Sequence, residues 1–186
     1  MTNDEALMQE FQGGSRAAFE ELFARYRKPL YGFFGRRLNN PERAEDLTQE
    51  TFLAVIRAVS RYEPRASVRT YLYGIALKLL AAERRKLSGN EPQIDEHHEP
   101  AEDGPQEQAL WVRQALEKLD AGEREILMLR EYEQLSYEEI AELLRLPVNT
   151  VRSRLFRSRM ALKSFLEPKR KIQSRTRGAA EGEAQS

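Results

Sequence analysis

The sequence predicts an all-α protein, two small helical domains joined by a flexible acidic linker. Three observations lead to that reading. Apolar residues recur three and four positions apart, helix-capping residues precede those runs, and strand-like alternation is almost absent. Residues 88–106 break the pattern: Gly89, Pro92, Pro100, Gly104 and Pro105 stand among Glu91, Asp95, Glu96, Glu99, Glu102 and Asp103. Such a segment holds too little apolar surface to fold alone. A chain of 186 residues suffices for one medium domain or two small helical ones. The expected organisation is therefore a domain over 1–87, the linker over 88–106, a second domain over 107–167 and a disordered tail over 168–186.

The elements follow in order. Thr2 with Glu5 opens a short first helix, and Ser15 can cap a longer second one striped by Phe19, Leu22, Phe23, Tyr26, Leu30 and Phe33. Asn40-Pro41 supplies a cap and a first-turn proline for the third, whose buried stripe is Ala44, Leu47, Thr51, Val55 and Ile56. Ser67 can start a fourth, with Val68, Tyr71, Leu72, Ile75 and Leu79 apolar, ending near Arg84-Arg85-Lys86. After the linker, Ala109, Leu110, Val112 and Leu116 mark a helix beginning near Glu107. Asp120 with Glu123 caps the next, which carries Ile126, Leu127 and Leu129.

The final pair of helices carries the most chemistry. Ser136 and Glu139 have the spacing of a capping box, Ile140, Ala141 and Leu144 form an apolar face, and Pro147 marks a tight turn. Val151, Leu155, Ser158 and Leu162 then recur as a packed stripe. A rotation of roughly 100° per residue points Asn149, Ser153, Phe156 and Met160 the opposite way, with Arg152 and Arg157 flanking them. This is a helix-turn-helix. An outward phenylalanine between arginines suits the major groove, where arginine reads guanine and a ring meets a thymine methyl. The plainer alternative is a basic surface helix.

Net charge is zero, yet it is segregated. Residues 148–171 hold Arg152, Arg154, Arg157, Arg159, Lys163, Lys169, Arg170 and Lys171 against Glu167 alone. That local footprint is what phosphate contact requires. No cysteine is present, which excludes disulfides, thiolate catalysis and cysteine zinc sites. The two histidines, His97 and His98, sit beside Asp95, Glu96 and Glu99 in the linker, where ligands lack preorganisation. No metal, cofactor or catalytic residue is expected. Apolar runs are too short to span a membrane and no signal peptide is visible, so a soluble cytoplasmic protein is expected.

Three ordered motifs make the reading specific. Ala44-Glu-Asp-Leu-Thr-Gln-Glu-Thr-Phe-Leu53 resembles the core-polymerase-binding helix of bacterial sigma factors. Ser67-Val-Arg-Thr-Tyr-Leu-Tyr-Gly-Ile-Ala76 resembles the promoter-melting helix, and Leu135 to Leu162 is similar to the motif that reads the −35 element. With nothing but a short linker between the domains, residues 4–166 resemble the extracytoplasmic-function (ECF) subfamily. The resemblance implies a region 2-like first domain and a region 4-like second one. It also implies an alternative sigma factor that binds core RNA polymerase, places it at −35 and −10 promoter elements and promotes melting. An anti-sigma partner is implied in the same way.

Residue by residue, Asp46, Gln49, Glu50 and Leu53 form one stripe beside the buried one, suited to a basic protein partner with an apolar anchor. The resemblance assigns that stripe to core polymerase, and the solvated-face alternative stands beside it. It assigns Arg61, Tyr62, Arg65, Ser67, Arg69, Tyr71 and Lys78 to the −10 element, where rings stack bases and cations pair phosphates. Tyr71 and Tyr73 could instead both be core. Asn149, Arg152, Ser153, Phe156 and Arg157 are assigned to duplex −35 DNA. The chain departs from the family pattern at Tyr71 (usually Trp), Gly74 (commonly Arg), Lys78 (often Asn) and Arg145 (typically Gly). A self-sufficient helix-turn-helix repressor or activator is the competing function. It would leave the Asp46–Leu53 stripe without a task.

Overall fold

A computed structural model of the chain describes residues 3–38, 40–89 and 106–166. Helices α1 (Asp4–Gln12), α2 (Arg16–Gly35), α3 (Pro41–Ala58) and α4 (Val68–Gly89) build the first unit, with a single 3-10 turn over Val59–Arg61. Helices α5 (Gln106–Glu117), α6 (Ala121–Glu131), α7 (Tyr137–Leu144) and α8 (Val148–Leu166) build the second. Among the described residues there is no strand. The acidic linker over 90–105 and the tail beyond 166 lie outside them.

The helix starts follow the capping chemistry of the sequence. Ser15 Oγ accepts from the Ala18 amide, Asn40 Oδ1 from Arg43 and Asp120 Oδ1 from Gly122. Ser136 and Glu139 complete a reciprocal box, the hydroxyl accepting from the Glu139 amide at 3.0 Å and the carboxylate from the Ser136 amide at 2.8 Å. Two boundaries differ from expectation. Asn3 caps α1, its Oδ1 accepting from the Glu5 amide at 3.0 Å, whereas Thr2, the expected start, lies outside the described residues. Helix α4 continues through its basic run to Gly89, since arginine and lysine are good helix formers.

In the first unit, α2 and α3 interleave an aromatic cluster. Phe23 and Phe52 lie 4.7 Å apart, Phe19 meets Phe52 edge-on, and Phe11 closes the cluster from α1. Buried Thr48 and Thr51 return their hydroxyls to the Ala44 and Leu47 carbonyls, so neither leaves an unpaired polar group in the core. Glu83, almost fully buried on α4, binds Arg43 of α3 through both oxygens at 2.7 and 2.8 Å. In the second unit, Val151, Leu155 and Ser158 seat α8 against its neighbours. The small Ser158 permits close approach, and its hydroxyl donates to the carbonyls of Arg154 and Glu123.

The two units touch each other through charge. Arg37, at the end of α2, is 1% exposed and binds both Glu125 and Glu133 of the second unit, and the Glu133 side chain is 2% exposed. On the far side of the contact, α4 lies against α7, with Gly74 facing Leu143.

Candidate functional site

The outward face of α8 lies where helical rotation places it. Phe156 is 66% exposed and Met160 is 51% exposed, while Leu155 between the two faces is 1% exposed. Arg152 and Ser153 are exposed and bonded only within α8, to Asn149 Oδ1 at 3.4 Å and to the Thr150 carbonyl. Arg157 is exposed but tethered, its Nε donating to Glu123 Oε1 at 3.1 Å. The turn that aims this helix carries Arg145 in the left-handed region, φ 54° and ψ 47°. There its amide closes α7 on the Ala141 and Glu142 carbonyls. Arginine therefore takes the conformation that glycine takes more cheaply, and the turn keeps its left-handed geometry.

On α3 the expected stripe is exposed at Asp46, Gln49 and Leu53 and half-buried at Glu50. Leu53 is 46% exposed beside Asp46, Gln49 and Glu50. Arg43 pairs with Asp46 at 3.0 Å and approaches Glu50 at 3.7 Å, yet its strongest partner is Glu83, whose bonds raise the guanidinium above its ordinary range. Ile56 corrects the sequence reading. It was placed in the buried stripe, but it is 44% exposed one turn beyond Leu53. The core accepts Val55 at that level of α3, and a residue one position further has rotated out of it. Leu53 and Ile56 thus form an exposed apolar pair, a signal present in the i, i+3 spacing itself.

The residues assigned to the −10 element are placed unequally. Arg61 and Lys78 are exposed, and Arg65 pairs with neighbouring Glu63. Tyr62 is buried, edge-on to half-buried Tyr71 at 5.2 Å, and burial pushes both phenols up. The Tyr62 hydroxyl has no hydrogen-bond partner among the described residues. Tyr73 is core, as one of the two sequence readings allowed. Ser67 and Arg69 are engaged by the second unit. The Ser67 hydroxyl donates to Glu139 Oε1 at 2.9 Å, and the Arg69 guanidinium donates to the Glu133 carbonyl.

Sequence reasoning missed that role of Glu139, which it had used only as the third residue of a capping box. One carboxylate oxygen does cap α7, while the other reaches Ser67 and Thr70. These bonds to backbone and hydroxyls outweigh burial and hold the Glu139 carboxyl below the usual carboxylate range. Among the described residues no cluster of three metal-ligating side chains occurs, and no helix is long and apolar enough to cross a membrane.

Comparison with known proteins agrees with this geometry. Residues 22–89 match the family model for sigma-70 region 2 and residues 109–162 the model for sigma-70, region 4. The RNA polymerase sigma-H factor of Pseudomonas aeruginosa is 31% identical over 182 residues, covering 89% of this chain and 94% of that protein. The ECF RNA polymerase sigma-E factor of Haemophilus influenzae is also 31% identical, covering 89% and 96%. Among solved structures, CnrH in complex with the cytosolic domain of CnrY superposes with a TM-score of 0.65 at 27% identity, over 88% of this chain and 96% of that one. With both regions present in order and relatives matched over nearly their whole length, the chain belongs to the ECF sigma factors, the alternative sigma factors that direct RNA polymerase to promoters.

Proposed function

We propose that the three faces divide the work of a sigma factor among them. Asp46, Gln49, Glu50 and Leu53, extended by Ile56, dock on core polymerase. Arg61, Tyr62, Arg65, Ser67, Arg69, Tyr71 and Lys78 serve the −10 element as it separates into single strands. Asn149, Arg152, Ser153, Phe156 and Arg157 read the duplex −35 element. The region 2-like domain spans 1–87 and the region 4-like domain 107–167. The chain performs no catalysis of its own and acts in the cytoplasm, where its polymerase works.

The observation that carries this reading is the α3 face. Leu53 and Ile56 are exposed within an acidic and amide stripe, a pattern suited to an apolar anchor ringed by partner-selecting charge. A self-sufficient regulator has no use for it, and both family models are sigma regions. Several solved relatives were captured with protein partners. One is CnrH, bound to the cytosolic domain of CnrY, which supports a protein partner here as well, an anti-sigma factor by the family resemblance.

Reconstitution tests the assignment. Purified core polymerase plus this chain should transcribe from its cognate promoter without further factors. Leu53→Asp should lower core affinity at least about tenfold, the loss of roughly 1.4 kcal/mol, with helical content unchanged. Wild-type affinity in that variant would remove the α3 face from the function.

A further inference from the structure

We infer that α1 is a fixed bar that holds the segment before α4 in shape for single-stranded DNA, with Glu5 and Gln12 as its positioning residues. This rests on the assignment of Arg61, Tyr62, Arg65 and Ser67 to the −10 strand. The bar lies outside residues 22–89, the part of the chain matched as region 2. Its own place is set by packing on the first unit. Leu7 and Met8 are buried, Phe11 meets the Phe19 ring at 4.9 Å, and Asp4 binds both Arg25 and the Tyr26 hydroxyl of α2. Anchored at both ends and in its middle, α1 cannot shift without opening the core.

Each end of this bar grips the segment by complementary chemistry. Gln12, the last residue of α1, carries one amide group with two N–H donors. It donates to the Tyr62 carbonyl at 3.0 Å and to the Ser60 carbonyl at 3.5 Å, so the two acceptors flank Arg61. At the opposite end, Glu5 Oε1 accepts from the Val68 amide at 3.3 Å. That amide belongs to the first turn of α4, where no partner exists within the helix. Between the two grips Arg61 and Arg65 are exposed, while the Tyr62 ring is buried edge-on against Tyr71. The segment has few bonds of its own, from the Tyr62 amide to the Val59 carbonyl and from the Arg65 amide to the Glu63 carbonyl. Left ungripped, such a stretch samples many shapes. Held in one, it lowers the ordering cost that a captured strand must overcome, and keeps two arginines spaced for phosphates. The grips are separate from the anchors, so cutting them loosens the segment while α1 stays packed.

Three variants of the full chain test this. Gln12→Met keeps side-chain length and helix propensity but removes both donors. Glu5→Ala removes the acceptor, and Glu5→Gln restores it without the charge. Amide hydrogen exchange over residues 59–68 should quicken in Gln12→Met and Glu5→Ala and return to the wild-type rate in Glu5→Gln, with circular dichroism unchanged. In holoenzyme reconstituted with core polymerase, affinity for a fluorescent single-stranded −10 oligonucleotide should fall about fivefold in each of the first two, the scale of one lost hydrogen bond. Glu5→Gln should recover it. Affinities for core polymerase and for −35 duplex should keep their wild-type values, which a general loss of fold would not permit. Unchanged exchange in both loss variants overturns the bar, and so does a Glu5→Gln chain that behaves like Glu5→Ala. Faster exchange with unchanged oligonucleotide affinity overturns it as well. Arg61→Ala in the same holoenzyme then locates the fault. Lowered affinity there keeps the −10 assignment and removes only the role of α1, whereas unchanged affinity means that the −10 assignment itself has failed.

Discussion

The two helices proposed to face DNA are presented in opposite ways. On α8 the reading residues stand free of the rest of the molecule or are lightly tethered, and the helix beneath them is clamped by Leu155 and Val151. On α4 and the segment before it, Tyr62 is buried within its own domain, while Ser67 and Arg69 are bonded to the second domain. Duplex DNA offers its base edges without rearrangement, so a rigid, exposed helix suffices to read them. A single strand exists only after melting, and its receptor can stay closed until then.

The sharpest test of that contrast lies in two neighbouring residues of α8. Leu155→Ala removes a fully buried side chain and should cost about 2–5 kcal/mol, abolishing −35 binding through loss of the fold. Phe156→Ala, one position on, removes an exposed ring and should change stability by no more than about 0.5 kcal/mol, while promoter choice shifts. Urea titration of both variants and a promoter-library transcription assay check the pair. Comparable destabilisation of the two would mean that α8 does not present a free face.

A second test contrasts the two ends of α4. Its C-terminal half is fixed within its own domain by Glu83 and Arg43, its N-terminal half across domains by Glu139. Glu83→Gln should therefore lower first-domain stability by about 1–3 kcal/mol, as for a lost bond between charged groups. Glu139→Gln should leave that stability unchanged. Arg43 holds the Glu83 carboxyl below its ordinary range. The folded state thus binds the proton less readily than the unfolded one, so this contribution is present above the ordinary carboxylate pKa and is lost as pH falls below it. Denaturation midpoints measured from neutral pH down through the carboxylate range should converge for wild type and Glu83→Gln. Parallel curves would assign the stability elsewhere.

The legibility of the two helices from sequence differs for the same reason. The α8 face is a local property: 3.6-residue rotation about a buried stripe places Phe156 outward whatever else the chain does. The capping residues Ser15, Asn40, Asp120 and Ser136 were equally legible, because each acts within one turn. Ile56 was not, since periodicity alone cannot say where a wide apolar stripe stops being covered. Glu133 and Glu139 carried no signal of their tertiary partners. Their bonds to Arg37 and Ser67 span more than sixty positions of sequence and depend on how two domains meet.

The proposed reading face separates two kinds of arginine. Arg152 is held only by a long bond to Asn149, whereas Arg157 is anchored on Glu123 of α6. Arg152→Ala should lose about 1–3 kcal/mol at one base pair and relax preference there. Glu123→Gln, by loosening Arg157, should alter preference at a different position without lowering overall output. Library transcription resolves the two patterns. A uniform fall across all promoters for Arg152→Ala would reduce that arginine to an electrostatic contact.

The smallest effect concerns the turn that joins α7 to α8. Arg145 sits at φ 54°, where its Cβ crowds the following carbonyl, a cost of about 1–2 kcal/mol for a residue with a side chain. Glycine removes the crowding but adds freedom to the unfolded chain, which offsets part of the gain. Arg145→Gly should therefore stabilise the second domain by about 1 kcal/mol, roughly 4–8 °C in melting temperature for a domain of this size. Because the exposed Arg145 side chain lies outside the α8 face, −35 selectivity should be unchanged. If Arg145→Gly stabilises the domain and also changes base preference, the turn sets the angle of α8 in the groove. If it destabilises instead, the guanidinium contributes more there than the left-handed backbone costs.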